Sequence, residues 1–181
     1  MHIRASEGQF KAAVSTDAQP ALEGLELELR TGADGVPVPG GTAAIELEHM
    51  RRAQPALAEL FREQTKSFPS ATQVLAEGML HLAWKTFART SPWMAPIAAE
   101  TVNEAFARLT TVLYNLGSAD DAFVEHALSS QSSPDPELMN RLEHVLLEHC
   151  HEGHPLDHRE LGVLFALART AVVMLHTEAH P

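Results

Sequence analysis

Cysteine is almost missing from this chain: Cys150 is the only one in 181 residues, so no intramolecular disulfide can staple the fold. That favours a reducing compartment. Lysine is nearly as scarce, with Lys11, Lys66 and Lys85 the only three, and acids outnumber Lys and Arg by 24 to 13 for a net charge of −11 with His neutral. Phosphate backbones and anionic lipid repel such a chain, which argues against nucleic acids and membrane surfaces as partners. No uninterrupted apolar run approaches the length of about 20 residues that a membrane span needs. The longest candidate, Leu161 to Leu175, is interrupted by Arg169. Met1 to Val14 holds no continuous apolar stretch of the kind a secretory signal carries. A cytoplasmic protein is the expectation from these absences.

Motifs that fix a chemistry are also lacking. There is no Gly-rich phosphate loop, no zinc-finger spacing, no Gly-x-Ser-x-Gly and no interleaving of aromatic with basic residues. Cys150 lies in the last turn of an expected helix, where the helix dipole disfavours a thiolate, so it reads as an incidental thiol rather than a nucleophile.

What is present suits one domain. Hydrophobic residues make up 45% of the chain and charged residues 20%, ordinary values for a sequence that folds. Residues 1–41 differ from the rest. Leu25, Leu27 and Leu29 alternate with Glu26, Glu28 and Arg30, the period of a half-buried strand. Turn residues follow from Thr31 to Gly35, and Val36 and Val38 then alternate with Pro37 and Pro39, which confines the second segment to a sheet edge or an extended arm. A β-hairpin or extended arm over 1–41, packed on or projecting from a helical domain over 42–181, is the expected organisation.

After Gly41 the start signals are helical. Thr42 can cap a helix to about Ala53, and Pro55 starts or kinks the next segment. Ser70-x-x-Gln73 has the form of a capping box for a helix to about Arg89. Ser91-Pro92 predicts a long helix to Asn115, Ser118-x-x-Asp121 a short one to about Ser129, Asp135-Pro136 one to Glu152, and Asp157-x-x-Glu160 the last. Short connections favour antiparallel neighbours, so the expected fold is mainly α: a compact antiparallel bundle of about five to six helices. Trp84 and Trp93 bracket one connection and read as core or interface anchors.

Laid out at about 100° per residue, the helix from Pro136 collects Leu138, Leu142, Val145 and Leu146 on one side, with His149 among them. His144, Glu148 and His151 gather on the other. The last helix is apolar nearly all round, as a helix surrounded by protein should be. His158, Arg169 and His176 form its narrow polar strip, within about 20° of each other.

Two patterns invite chemistry. His144, Glu148 and His151, joined by His154 from the following loop, have ligand types suited to Zn, Ni, Cu or non-haem Fe. Their face points away from the apolar stripe, so an exposed acid-rich surface is the simpler reading. Two Glu-x-x-His pairs, Glu46/His49 and Glu148/His151, with Glu77, Glu100 and Glu104 on intervening helices, have the composition but not the layout of a di-iron carboxylate bundle. The second pattern is the Arg169 strip, where a structural ion pair competes with a small-anion or small-ligand pocket formed with His158 and His176.

The leading functional expectation is a non-enzymatic interaction module that neutralises, chaperones or scaffolds a basic protein partner, or self-associates through the N-terminal arm. The alternatives are a metal-binding helical protein using the 144–158 cluster and a small-ligand binder around Arg169.

Overall fold

The computed structural model describes residues 29–31, 37–39, 42–116, 133–151 and 156–181, with side chains described over 44–111, 133–149 and 156–181. Six helices account for most of these residues: α1 (Thr42–Ala53), α2 (Pro55–Thr65), α3 (Ser70–Thr90), α4 (Ala99–Leu116), α5 (Pro136–His151) and α6 (His158–Ala179). Leu29–Thr31 and Pro37–Pro39 pair antiparallel, with Arg30 opposite Val38. The rest of the hairpin or arm expected over 1–41 lies outside the described residues, as does the short helix expected from the Ser118 cap to about Ser129.

Local chemistry is visible at three of the helix starts. Pro55 occupies the first turn of α2, where its missing N–H leaves no bond unmade. Asp135 Oδ1 accepts from Leu138 N at 3.0 Å and caps α5. At α6 the capping box is complete: Asp157 Oδ1 accepts from Glu160 N at 2.7 Å, and Glu160 Oε2 accepts from Asp157 N at 2.9 Å. The box expected at Ser70 does not form. Pro69 is the cap residue of α3, and Gln73 Nε2 donates instead to the Phe68 carbonyl at 2.8 Å.

α4 is the largest departure from expectation. It begins at Ala99, not after Ser91, and residues 94–98 are not helical. A second proline gives the local reason. Pro96 has no N–H for a helical bond, and it biases Ala95 away from helical backbone angles. Ile97 is buried from this non-helical stretch. Among the described side chains of the helix, Val102 and Phe106 are the buried ones.

α6 packs against α2, α3, α4 and α5. Leu164, Phe165, Ala166, Leu167, Ala168, Ala171, Val172 and Leu175 are all buried in one core with residues of α1 to α5. By length and composition alone α6 is long and apolar enough to cross a membrane, Arg169 notwithstanding. In the fold much of that surface is covered by neighbouring helices.

The bundle is not antiparallel throughout. α1 and α3 are antiparallel: Arg51 bonds Glu77, and Lys85 bonds Glu46, so one index rises as the other falls. α3 and α6 run parallel. Thr72 meets Glu160 near their starts, and Phe87 meets His176 and Ser91 meets Ala179 near their ends. Short connections constrain only helices adjacent in sequence, and α4 and α5 lie between these two.

Candidate functional site

Two of the four predicted metal ligands are paired with each other. His144 Nε2 lies 2.9 Å from Glu148 Oε1, one turn apart on the exposed face of α5. The side chains of His151 and Cys150, and all of His154, lie outside the described residues. Among the described residues no three His, Cys, Asp or Glu side chains are grouped to hold a metal ion. Glu46 and His49, the other Glu-x-x-His pair, diverge in their contacts: Glu46 is held by Lys85, while the His49 ring stands edge-on to Trp84 at 5.2 Å.

The polar strip of α6 shares an angle but not a place. His158 and Arg169 are separated by about 16 Å of helix rise. His158 is exposed, and Arg169 is half-buried and partnered. His176 packs edge-on against Phe87 at 5.9 Å and stacks on His180 at 4.5 Å. Among the groups that act on Glu143, the one charge is Arg169. Burial pushes the Glu143 carboxyl above the ordinary carboxylate value, against the pull of that guanidinium. The Arg169 guanidinium thus lies within electrostatic reach of a carboxyl on α5.

A polar cluster unexpected from the sequence lies between α1 and α3. His81 is 2% exposed. Its Nε2 approaches Glu46 Oε2 to 3.2 Å, without the alignment of a hydrogen bond. Lys85 Nζ donates to the same oxygen at 2.7 Å. The His81 ring stacks over Trp84 at 6.1 Å. The signal was a single histidine in the apolar run Met79-Leu80-His81-Leu82-Ala83-Trp84.

Burial lowers the His81 imidazole below its ordinary value of 6.5, with Lys85 acting in the same direction and Glu46 in the opposite one. The unfolded chain therefore takes up this proton more readily than the folded one. The stability associated with neutral His81 is complete above pH 6.5 and is lost as pH falls through the lowered folded value. Glu46 is lowered chiefly by the Lys85 hydrogen bond, and its contribution is lost only below its ordinary 4.5. Unfolding free energy is thus expected to fall between about pH 7 and pH 5, the histidine range, and His81→Gln should flatten that part of the profile. Equal slopes in denaturant titrations of the two proteins would show that His81 is not a proton-linked group.

The connection from α3 to α4 is fastened at both ends. Ser91 Oγ donates to the Ala179 carbonyl at 3.0 Å. Gln54, 1% exposed between α1 and α2, grips the other end with both amide atoms. Its Nε2 donates to the Ala95 carbonyl at 3.0 Å, and its Oε1 accepts from Ile97 N at 3.1 Å. Ile97 is buried and Met94 packs against the core. Trp93, held between these fasteners, is 93% exposed. Trp84 is the core anchor the sequence suggested; Trp93 is not in the core. Nothing in the sequence marks Gln54 as the clamp except its place before Pro55.

Comparison of the chain with known protein families, with curated proteins and with solved structures finds no match.

Proposed function

We propose that the protein is a non-enzymatic interaction module that engages a basic protein partner. One observation carries the reading: Glu160 is the only buried acid residue among the described residues, with Glu143 half-buried, so most of the described acid lies at or near the surface. Several of the few bases are paired with acids three or four residues away in sequence. Arg52 pairs with Glu48, Arg62 with Glu59, Lys66 with Glu63 and Arg108 with Glu104. These exposed pairs add little stability, but they leave the acidic excess to define the external field. A field of that sign steers cationic surfaces toward the molecule and repels anionic ones. The hairpin or arm proposed for 1–41 would add reach, or lend an edge to a partner's sheet, in a cytoplasmic setting.

The test is equilibrium binding of a labelled arginine-rich peptide, with a glutamate-rich peptide as control. Binding of the basic peptide alone is expected, weakening roughly tenfold or more from about 0.05 M to 0.5 M salt as screening shortens the field. Affinity that does not move with salt would sink the electrostatic reading.

A further inference from the structure

We propose that the exposed strip around Trp93 is the docking site for that partner, with the Trp93 indole seated in an apolar pocket on a cationic protein surface. This inference rests on the basic-partner reading and adds where the partner binds.

Tryptophan is among the most buried residue types on average and among the most frequent energetic centres of protein interfaces. Here it is 93% exposed. Pro92, Ala95, Pro96 and Ala98 in the connection, and Ala99 at the start of α4, are exposed beside it in sequence, a run of apolar surface. The run is also preorganised. Ser91 is tied to α6 through Ala179, Gln54 holds Ala95 and Ile97, and Ile97 and Met94 are packed beneath. A site already held in one backbone conformation loses less ordering entropy on binding. The two prolines reduce that loss further, because their φ angles are fixed in the free protein too.

Charge selects the occupant. A second copy of the chain would bring another net −11 to the interface. Anionic lipid and nucleic acid are repelled in the same way. A cationic protein surface is attracted over distance, and the tryptophan then supplies the short-range contact that charge alone does not give.

The test uses the full chain with Trp84→Phe, which leaves Trp93 as the only indole of two, and a Lys/Leu amphipathic helical peptide as the probe. Binding is expected to shift the exposed indole emission to shorter wavelength. Trp93→Ala in the wild-type background should weaken binding by about tenfold or more, with Trp93→Phe in between and the melting temperature unchanged. Equal affinity of Trp93→Ala and wild type would overturn the assignment of the site while leaving the basic-partner reading intact. Failure of the wild-type protein to bind the Lys/Leu peptide at low salt would overturn both. Equal binding of a Glu/Leu peptide or of phosphatidylserine vesicles would overturn the choice of a cationic occupant. So would a Trp93-dependent dimer of the protein alone in sedimentation, which would make the occupant a second copy.

Discussion

Leu167→Ala is expected to lower the unfolding free energy by about 3 kcal/mol, within the range of roughly 2–5 measured for such truncations in well-packed cores. Leu167 is 0% exposed. It sits on α6, the helix that packs against α2, α3, α4 and α5. With neighbours on several sides, no single helix can move inward to fill the space without losing its other contacts. The cavity term should therefore persist on top of the lost transfer energy. For a chain of this size the melting temperature should drop by about 6–12 °C. Ile45→Ala is the control, since Ile45 is 71% exposed and surface truncations of this kind usually stay within about 0.5 kcal/mol. Denaturant or thermal unfolding reads both. A loss at Leu167 no larger than at Ile45 would mean that α6 is not the centre of the core.

The second large effect is expected at a polar residue. Gln54→Ala removes the acceptor of the buried Ile97 N–H and the donor to the Ala95 carbonyl. An orphaned buried polar group costs about 1–3 kcal/mol, and the truncation leaves space at a site only 1% exposed. A total near 2–3 kcal/mol is expected on that basis. The more specific readout is local. The Ile97 amide should lose its exchange protection by about tenfold or more relative to amides inside α3, because its partner is a single side chain. Gln54→Glu keeps an acceptor for Ile97 but cannot donate to Ala95, so it should restore protection at Ile97 without restoring full stability. An Ile97 amide equally protected in wild type and Gln54→Ala would show that the clamp does not hold the connection.

The same residue explains where the sequence reading stopped. Ser91-Pro92 and Asp157-x-x-Glu160 look alike as start signals, yet only the second begins its helix. At α6 every group in the cap lies within three positions of the cap residue, so the hydrogen bonds that reward the start are visible in the string. At Ser91 the local signal meets Pro96 and a side chain 41 positions upstream of Ala95, which takes the backbone atoms a helix would use. The proline was legible and Gln54 was not. His81 has the same character: its burial follows from packing α3 against neighbouring helices, and only its apolar neighbours in sequence hinted at it. The Arg169 strip differs again: its members share an angle around one helix, about 16 Å of rise separates His158 from Arg169, and the carboxyl that feels Arg169 comes from α5.

Taken by itself, the sequence determined that this chain is helical after Gly41, where α2, α5 and α6 begin, that α6 is a core helix, and that the molecule carries a large negative charge. Periodicity, capping and composition are short-range or summed quantities, and they survive without knowledge of the fold. Tertiary structure alone decided that α3 and α6 run parallel, that His81 is enclosed beside Glu46 and Lys85, that Gln54 holds Ala95 and Ile97, and that of two tryptophans one is buried and the other stands in solvent. Each of those outcomes depends on groups tens of residues apart meeting across a packed interface, and the energy of such a meeting is not written at either residue.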